Sequence, residues 1–149
     1  AKQAGFSCDW TSLCQDAMYA ILPPDYPLDG QETFPIEAFE GKEFLMPYGK
    51  FDLDVKAALS ANNVKPKIRP CHVDDETVIR MVGKGLGLSM MAEMMIRGRT
   101  NGVTAVPIEP ATGRELGMGL HMRESMPDGI LRLRECVLAF IGTLPGTES

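Results

Sequence analysis

Residues 65–95 read KPKIRPCHVDDETVIRMVGKGLGLSMMAEMM, and this stretch decides the fold class. Lys67 to Val73 (KIRPCHV) is compatible with a strand. Pro70 puts that strand at a sheet edge or delays its start, because proline offers no ladder donor. Asp74-Asp75-Glu76 then opens a helix, with Asp74 or Asp75 as its cap. Val78, Ile79, Met81 and Val82 give that helix a broad apolar face, and Gly83 and Gly85 stop it. Leu86 to Met91 (LGLSMM) is a second apolar run, and Ala92 to Arg97 reads as a helical turn. Strand, helix and strand in succession form the unit from which layered α/β sheets are built.

The alternation continues outward in both directions. Asp16 to Leu22 (DAMYAIL) is a β-compatible run, stopped by the turn Pro23-Pro24-Asp25-Tyr26-Pro27. Thr33 to Phe39 suits a short helical turn that Gly41 ends, and Glu43 to Met46 (EFLM) a short buried strand. Pro47-Tyr48-Gly49-Lys50 turns into a helix over about residues 51–62, with Val55, Ala58, Leu59 and Asn62 on one face. Asp52 and Asp54 fall in its first turn, where the helix dipole favours negative charge. Downstream, Val103 to Ile108 and Leu116 to Met122 read as strands. Ser125, with Pro127 just inside, opens a last helix striped by Ile130, Leu133, Val137, Phe140 and Ile141. The expected architecture is α/β, a mixed and largely parallel sheet flanked by helices.

Composition agrees with a packed core and removes several classes. The 149 residues suit one domain or two small lobes, and 44% hydrophobic with 23% charged residues is ordinary globular usage. No apolar run approaches the ~20 residues of a membrane span. A net charge of −5 argues against a nucleic-acid-binding surface on this part. Ten methionines against one tryptophan suggest adaptable packing. Cys8, Cys14, Cys71 and Cys136 form no C-x-x-C pair, so four free thiols in a reducing cytosol are expected. Ala1-Lys2-Gln3-Ala4-Gly5 carries no apolar signal core, and the missing initiator methionine suggests a trimmed or partial chain.

Motifs of familiar chemistry read as structural. Gly83, Gly85 and Gly87 sit at a helix end rather than between a strand and a helix, so they do not make a phosphate loop. Cys71 and His72 are adjacent on a strand and point to opposite faces, which prevents them from acting on each other. His121 is the only other histidine, so no metal set is assembled. Lys65, Lys67 and Arg69 share one strand face, as a solvated edge or an anion-facing patch. Ligands of open α/β sheets bind beyond the carboxyl ends of strands. Two strand-to-helix turns qualify, Pro47 to Phe51 and His72 to Asp75, and parallel strands would make them neighbours. Amides at the start of the 51–62 helix would favour a carboxylate or phosphate.

At this point the residues resemble a known family, the LysR-type transcriptional regulators. LPPDYPLDG (22–30) is similar to that family's LPPxHPLAG turn, with Tyr26 where histidine is usual. EAFEGKEFLMP (37–47), the 65–95 stretch, VTAVPIEP (103–110) and RELGMGLHMRE (114–124) follow in the family's order, with Ala92 replacing a usual proline. The resemblance spans about residues 10–142 and covers only the C-terminal part of such a regulator. It implies one lobe of a type 2 periplasmic-binding-protein fold. Residues 1–15 would be a remnant of the first lobe and 16–123 the second lobe. Residues 124–149 would return to the first lobe with a terminal helix.

The implied function is sensing of a small organic anion as effector between lobes, in a cytoplasmic homo-oligomer, dimer or tetramer. DNA would be touched only through a helix-turn-helix domain absent from this sequence, with no membrane partner. The implied effector contacts are Pro47, Tyr48, Gly49, Lys50 and Phe51, then His72, Val73 and Asp74. No catalytic residue, cofactor or metal is expected. Two other readings remain at this level: a lobe of an exported solute-binding protein, and a small enzyme using Cys71 or His72.

Overall fold

The computed structural model describes residues 8–47, 52–121 and 126–143. Its strands are β1 (Cys8–Leu22), β2 (Phe34–Pro35), β3 (Glu43–Pro47), β4 (Lys67–Cys71), β5 (Ser89–Ala92), β6 (Thr104–Glu109) and β7 (Gly113–His121). Its helices are α1 (Asp52–Ala61), α2 (Asp75–Gly83), α3 (Glu93–Ile96) and α4 (Asp128–Ile141), with a 3-10 turn at Ile36–Phe39. The chain forms two compact units. One holds residues 16–114; the other holds 1–15 and 115–149.

In the 16–114 unit the strands follow the order β2-β6-β1-β5, while β3 and β4 form a second ribbon. The ribbon adjoins β5 through a parallel Phe44–Leu88 bridge, closed by Leu45 N–H to Leu88 O and Leu88 N–H to Glu43 O, both 2.8 Å. Gly87 is required there: a Cβ on it would lie 2.9 Å from Glu43 O. The sheet is mixed, as expected. Parallel pairing belongs to β3–β4 and β2–β6, whereas β1 runs antiparallel to both β5 and β6.

Side chains alternate across the sheet, so a strand covered on both faces reads as a continuous apolar run. Met18, Ala20 and Leu22 of β1, Phe44 and Met46 of β3 and Met90 of β5 join Val55, Ala58 and Leu59 of α1 in one core. Ile21, Leu45 and Met91, one residue out of phase, join Val78, Ile79 and Val82 of α2 in a second. The result is a helix layer on each side of the sheet. Phe34, Phe39 and Phe44 pack in a row, with ring centroids 4.7 and 5.2 Å apart. Tyr26 sets its ring edge-on against Phe34 at 5.8 Å.

In the other unit β7 pairs with the first part of β1. Helix α4 starts at Asp128 with Pro127 as its capping residue, so the proline lies one position outside the helix rather than just inside it. Ser125 lies outside the described residues. The apolar stripe of α4 is present, yet none of its residues is buried, and Leu133 and Phe140 stand 61% and 63% exposed.

Candidate functional site

Parallel pairing sets the strand ends that lead into the two expected turns side by side. Pro47 stands opposite Cys71 in the β3–β4 register, so both strands end on the same side of the ribbon. That is the carboxyl edge, where such sheets hold ligands. Pro47 is half-buried, and His72, Val73 and Asp74 are exposed on the link from β4 to α2. Tyr48, Gly49, Lys50 and Phe51 lie outside the described residues. The edge position expected for β4 holds, since β3 is its pairing partner and its Lys67 and Arg69 are exposed.

Asp74 has a defined task. It caps α2, its Oδ1 accepting from the Thr77 N–H at 2.8 Å. Hydrogen bonding to Thr77, through the side chain first and then the backbone, holds its carboxyl below the usual carboxylate range. The Arg80 and Arg99 charges act in the same direction. The carboxylate is thereby fixed at the mouth of the second turn.

A second group of residues at this edge has no signature in local spacing. Asp16, 1% exposed, receives Arg114 Nε at 3.0 Å and Nη2 at 2.9 Å on Oδ2. Its Oδ1 accepts the Met94 N–H at 3.0 Å. That bond serves the first turn of α3, whose capping residue Ala92 has no side-chain oxygen to offer. Arg114 Nη1 lies 3.6 Å from Asp54 Oδ2 in the first turn of α1. The approach depends on Gly113, where a Cβ would meet Asp16 O at 2.7 Å.

Arg114 therefore ties β1, α1 and the start of β7 together beside Pro47. A void of about 10 Å³, room for a single water, is lined by Pro47, Asp54, Asp75, Met95 and Arg114 among others. Asp54 and Asp75 make this wall acidic, and Arg114 is the cation that offsets them. Asp16 and Arg114 are 98 residues apart, so no motif window contains both. The available signal is a charged residue opening each of two apolar strand runs, DAMYAIL and RELGMGLHM.

Cys71 is buried with its Sγ 3.4 Å from Arg69 O, while the neighbouring His72 is exposed. Cys8, Cys14, Cys71 and Cys136 are all free thiols. Among the described residues no group of three or more His, Cys, Asp or Glu is placed to hold a metal ion. Among the described residues no helix is long and apolar enough to cross a membrane.

Comparison with known proteins bears on the fold and the family. The sequence profile of the LysR substrate binding domain matches residues 3–141. No curated protein matches the chain in sequence. Among solved structures, the regulatory domain of CcmR from Synechocystis PCC6803, in complex with 2-PG, superposes with a TM-score of 0.82 at 16% identity, covering 98% of this chain and 73% of that one. The effector binding domain of QuiR, in complex with shikimate, gives 0.75 at 13% identity over 95% and 68% of the two chains. The regulatory domain of MetR, a LysR family regulator from N. meningitidis, gives 0.75 at 17% identity over 98% and 71%. At these identities the superpositions speak to the fold.

Proposed function

The chain belongs to the LysR substrate binding domain family, the effector-sensing part of a transcription regulator, and on that premise we propose that it binds a small organic anion at the β3 and β4 turns. The supporting observation is the register that sets Pro47 opposite Cys71, because it makes neighbours of two turns far apart in sequence. In this reading the Gly49 and Lys50 amides, together with the Lys50 ammonium, meet the anionic end of the effector. Tyr48 and Phe51 form a wall, and His72, Val73 and Asp74 line the second turn. Asp54 and Asp75 leave this rim acidic, so the Lys50 charge and the α1 N-terminus carry the attraction.

Residues 16–123 are read as the second lobe, and residues 1–15 and 124–149 as belonging with the first. An effector that binds closed lobes more tightly than open ones shifts the population toward one state. That shift changes how a cytoplasmic homo-oligomer, a dimer or tetramer, sits on DNA through a helix-turn-helix domain elsewhere in the protein. The role is regulatory rather than catalytic.

The test is a thermal-shift screen of the full-length regulator against organic acids, aromatic acids and amino acids. A binding acid raises Tm with its concentration, and Lys50→Gln removes the rise. A screen in which no acid raises Tm, or in which Lys50→Gln leaves the rise unchanged, overturns the assignment.

A further inference from the structure

A much larger cavity lies away from the two turns, along the flank of α2. Its volume is about 770 Å³, within the range of small-molecule sites. Ile79 contributes its floor, and Glu76, Arg80, Lys84, Arg99 and Asn101 its polar lining. Three cations face one carboxylate. That carboxylate is already engaged, because Glu76 Oε1 pairs with Arg80 Nη2 at 2.5 Å. Neither Lys84 nor Arg99 makes an ion pair among the described residues, although the chain as a whole is acidic.

The geometry around this charge is well defined. Gly83, at the end of α2, packs so closely on the loop before β6 that a Cβ on it would lie 2.6 Å from Gly102 O. Helix and loop thus hold one another at a fixed spacing. Across the cavity, Gly98 and Gly102 adopt φ of +75° and +81°, and open space lies where their Cβ atoms would be. The loop therefore leaves bare backbone beside the arginines. The α2 carbonyls nearby are occupied: Lys84 N–H bonds Arg80 O and Met81 O, Gly85 N–H bonds Val82 O, and Leu86 N–H bonds Met81 O. This leaves little free carbonyl charge to repel an anion.

We propose that this cavity is a binding site for a small polyanion, a phosphorylated or polycarboxylate metabolite, separate from the effector turns. Lys84 and Arg99 hold the anion. Arg80 becomes shared between it and Glu76, and the Asn101 amide donates to an uncharged oxygen. A cavity of this size with three cations suits a compact ligand of two to three charges better than an extended polymer, which needs a longer basic track. The site runs along α2 from Glu76 to Lys84, and the second turn stands at the N-terminal end of the same helix. Arg80 and Arg99 also act on Asp74, the cap of α2 at the second turn. An anion on these arginines weakens their pull on Asp74, so occupancy of the flank is felt at the cap.

The experiment is a titration of this chain with inorganic pyrophosphate and, in a parallel arm, with citrate, followed by ¹H–¹⁵N spectra at about 0.15 M salt, where diffuse surface attraction is screened. The expected result is saturable shifts of the Arg80, Lys84, Arg99, Asn101 and Gly102 amides. Whichever arm binds more tightly names the source chemistry. Lys84→Gln with Arg99→Gln weakens binding about tenfold or more, as loss of two charge-assisted contacts implies. Arg97→Gln removes the same kind of charge from the neighbouring Glu93 pair and leaves affinity within about twofold. All of these side chains are exposed, so the variants keep a folded spectrum. The proposal is overturned if neither anion saturates, if the shifts centre on Met46, Val73 and Asp74, or if Arg97→Gln weakens binding as much as the pair.

Discussion

Asp16 and Asp74 show two ways a single carboxylate is used. Asp16 is buried and pairs with an arginine that is itself 18% exposed. Removing one member of such a pair leaves the other charged and unpaired. Asp16→Ala is therefore expected to cost about 3–5 kcal/mol in urea unfolding, more than a typical point substitution. Asp74 is exposed and acts by capping. Its carboxyl is depressed in the folded state, so its contribution is present above the ordinary carboxylate range and is lost as pH falls through the depressed value. Asp74→Ala lowers Tm at neutral pH, and the gap between the variant and the natural chain closes on acidification below that range. A gap independent of pH would mean that charge plays no part in the cap.

At the scale of elements, what could be read in the sequence was whatever burial writes into a short window. EFLM, the helix faces on α1 and α2, and the Asp74 cap are local patterns, and each element formed within a residue or two of its expected bounds. The first part of β1, Cys8 to Gln15, alternates poorly because its side chains are mostly exposed or half-buried. Nothing local distinguishes it from a loop. The antiparallel place of β1 between β5 and β6 was equally hidden, since pairing direction follows from topology rather than from residue type. The site divides in the same way. Its two turns follow from strand polarity, whereas Arg114 and Asp54 join it through contacts across the sheet. The core itself gives a contrast to measure. Phe39 is fully buried between two rings, so Phe39→Ala costs about 3–5 kcal/mol. Leu53 on α1 is 62% exposed, so Leu53→Gln stays within about 0.5 kcal/mol. Paired urea melts of the two variants check both.

For the molecule as a whole, part of the methionine excess has a location. Met90 and Met91 fill opposite faces of the same sheet, which is packing rather than a ligand wall. The apolar side chains of α4, by contrast, remain exposed, Ile130, Leu131, Leu133, Leu138 and Phe140 among them. A row of this kind on a helix surface favours association. Light scattering of this chain is expected to give a mass that rises with concentration, and Leu133→Gln with Phe140→Gln to return it to the monomer. A monomer at every concentration in the unmodified chain would remove α4 from the homo-oligomer proposed above.

One consequence of the Asp16–Arg114 pair concerns portability. These two residues are also the first and last of the 16–114 unit. Just inside them, Met18 N–H bonds Thr112 O at 2.8 Å. The unit is thus a ring of structure whose loose ends are already fastened, the condition under which circular permutation is tolerated. Joining residue 114 to residue 16 by a short linker and reopening the chain at the exposed Asp29-Gly30 turn should give a permutant that still melts cooperatively. Such a unit can be exchanged as a cassette, carrying the β3–β4 carboxyl edge and the α2 flank with it.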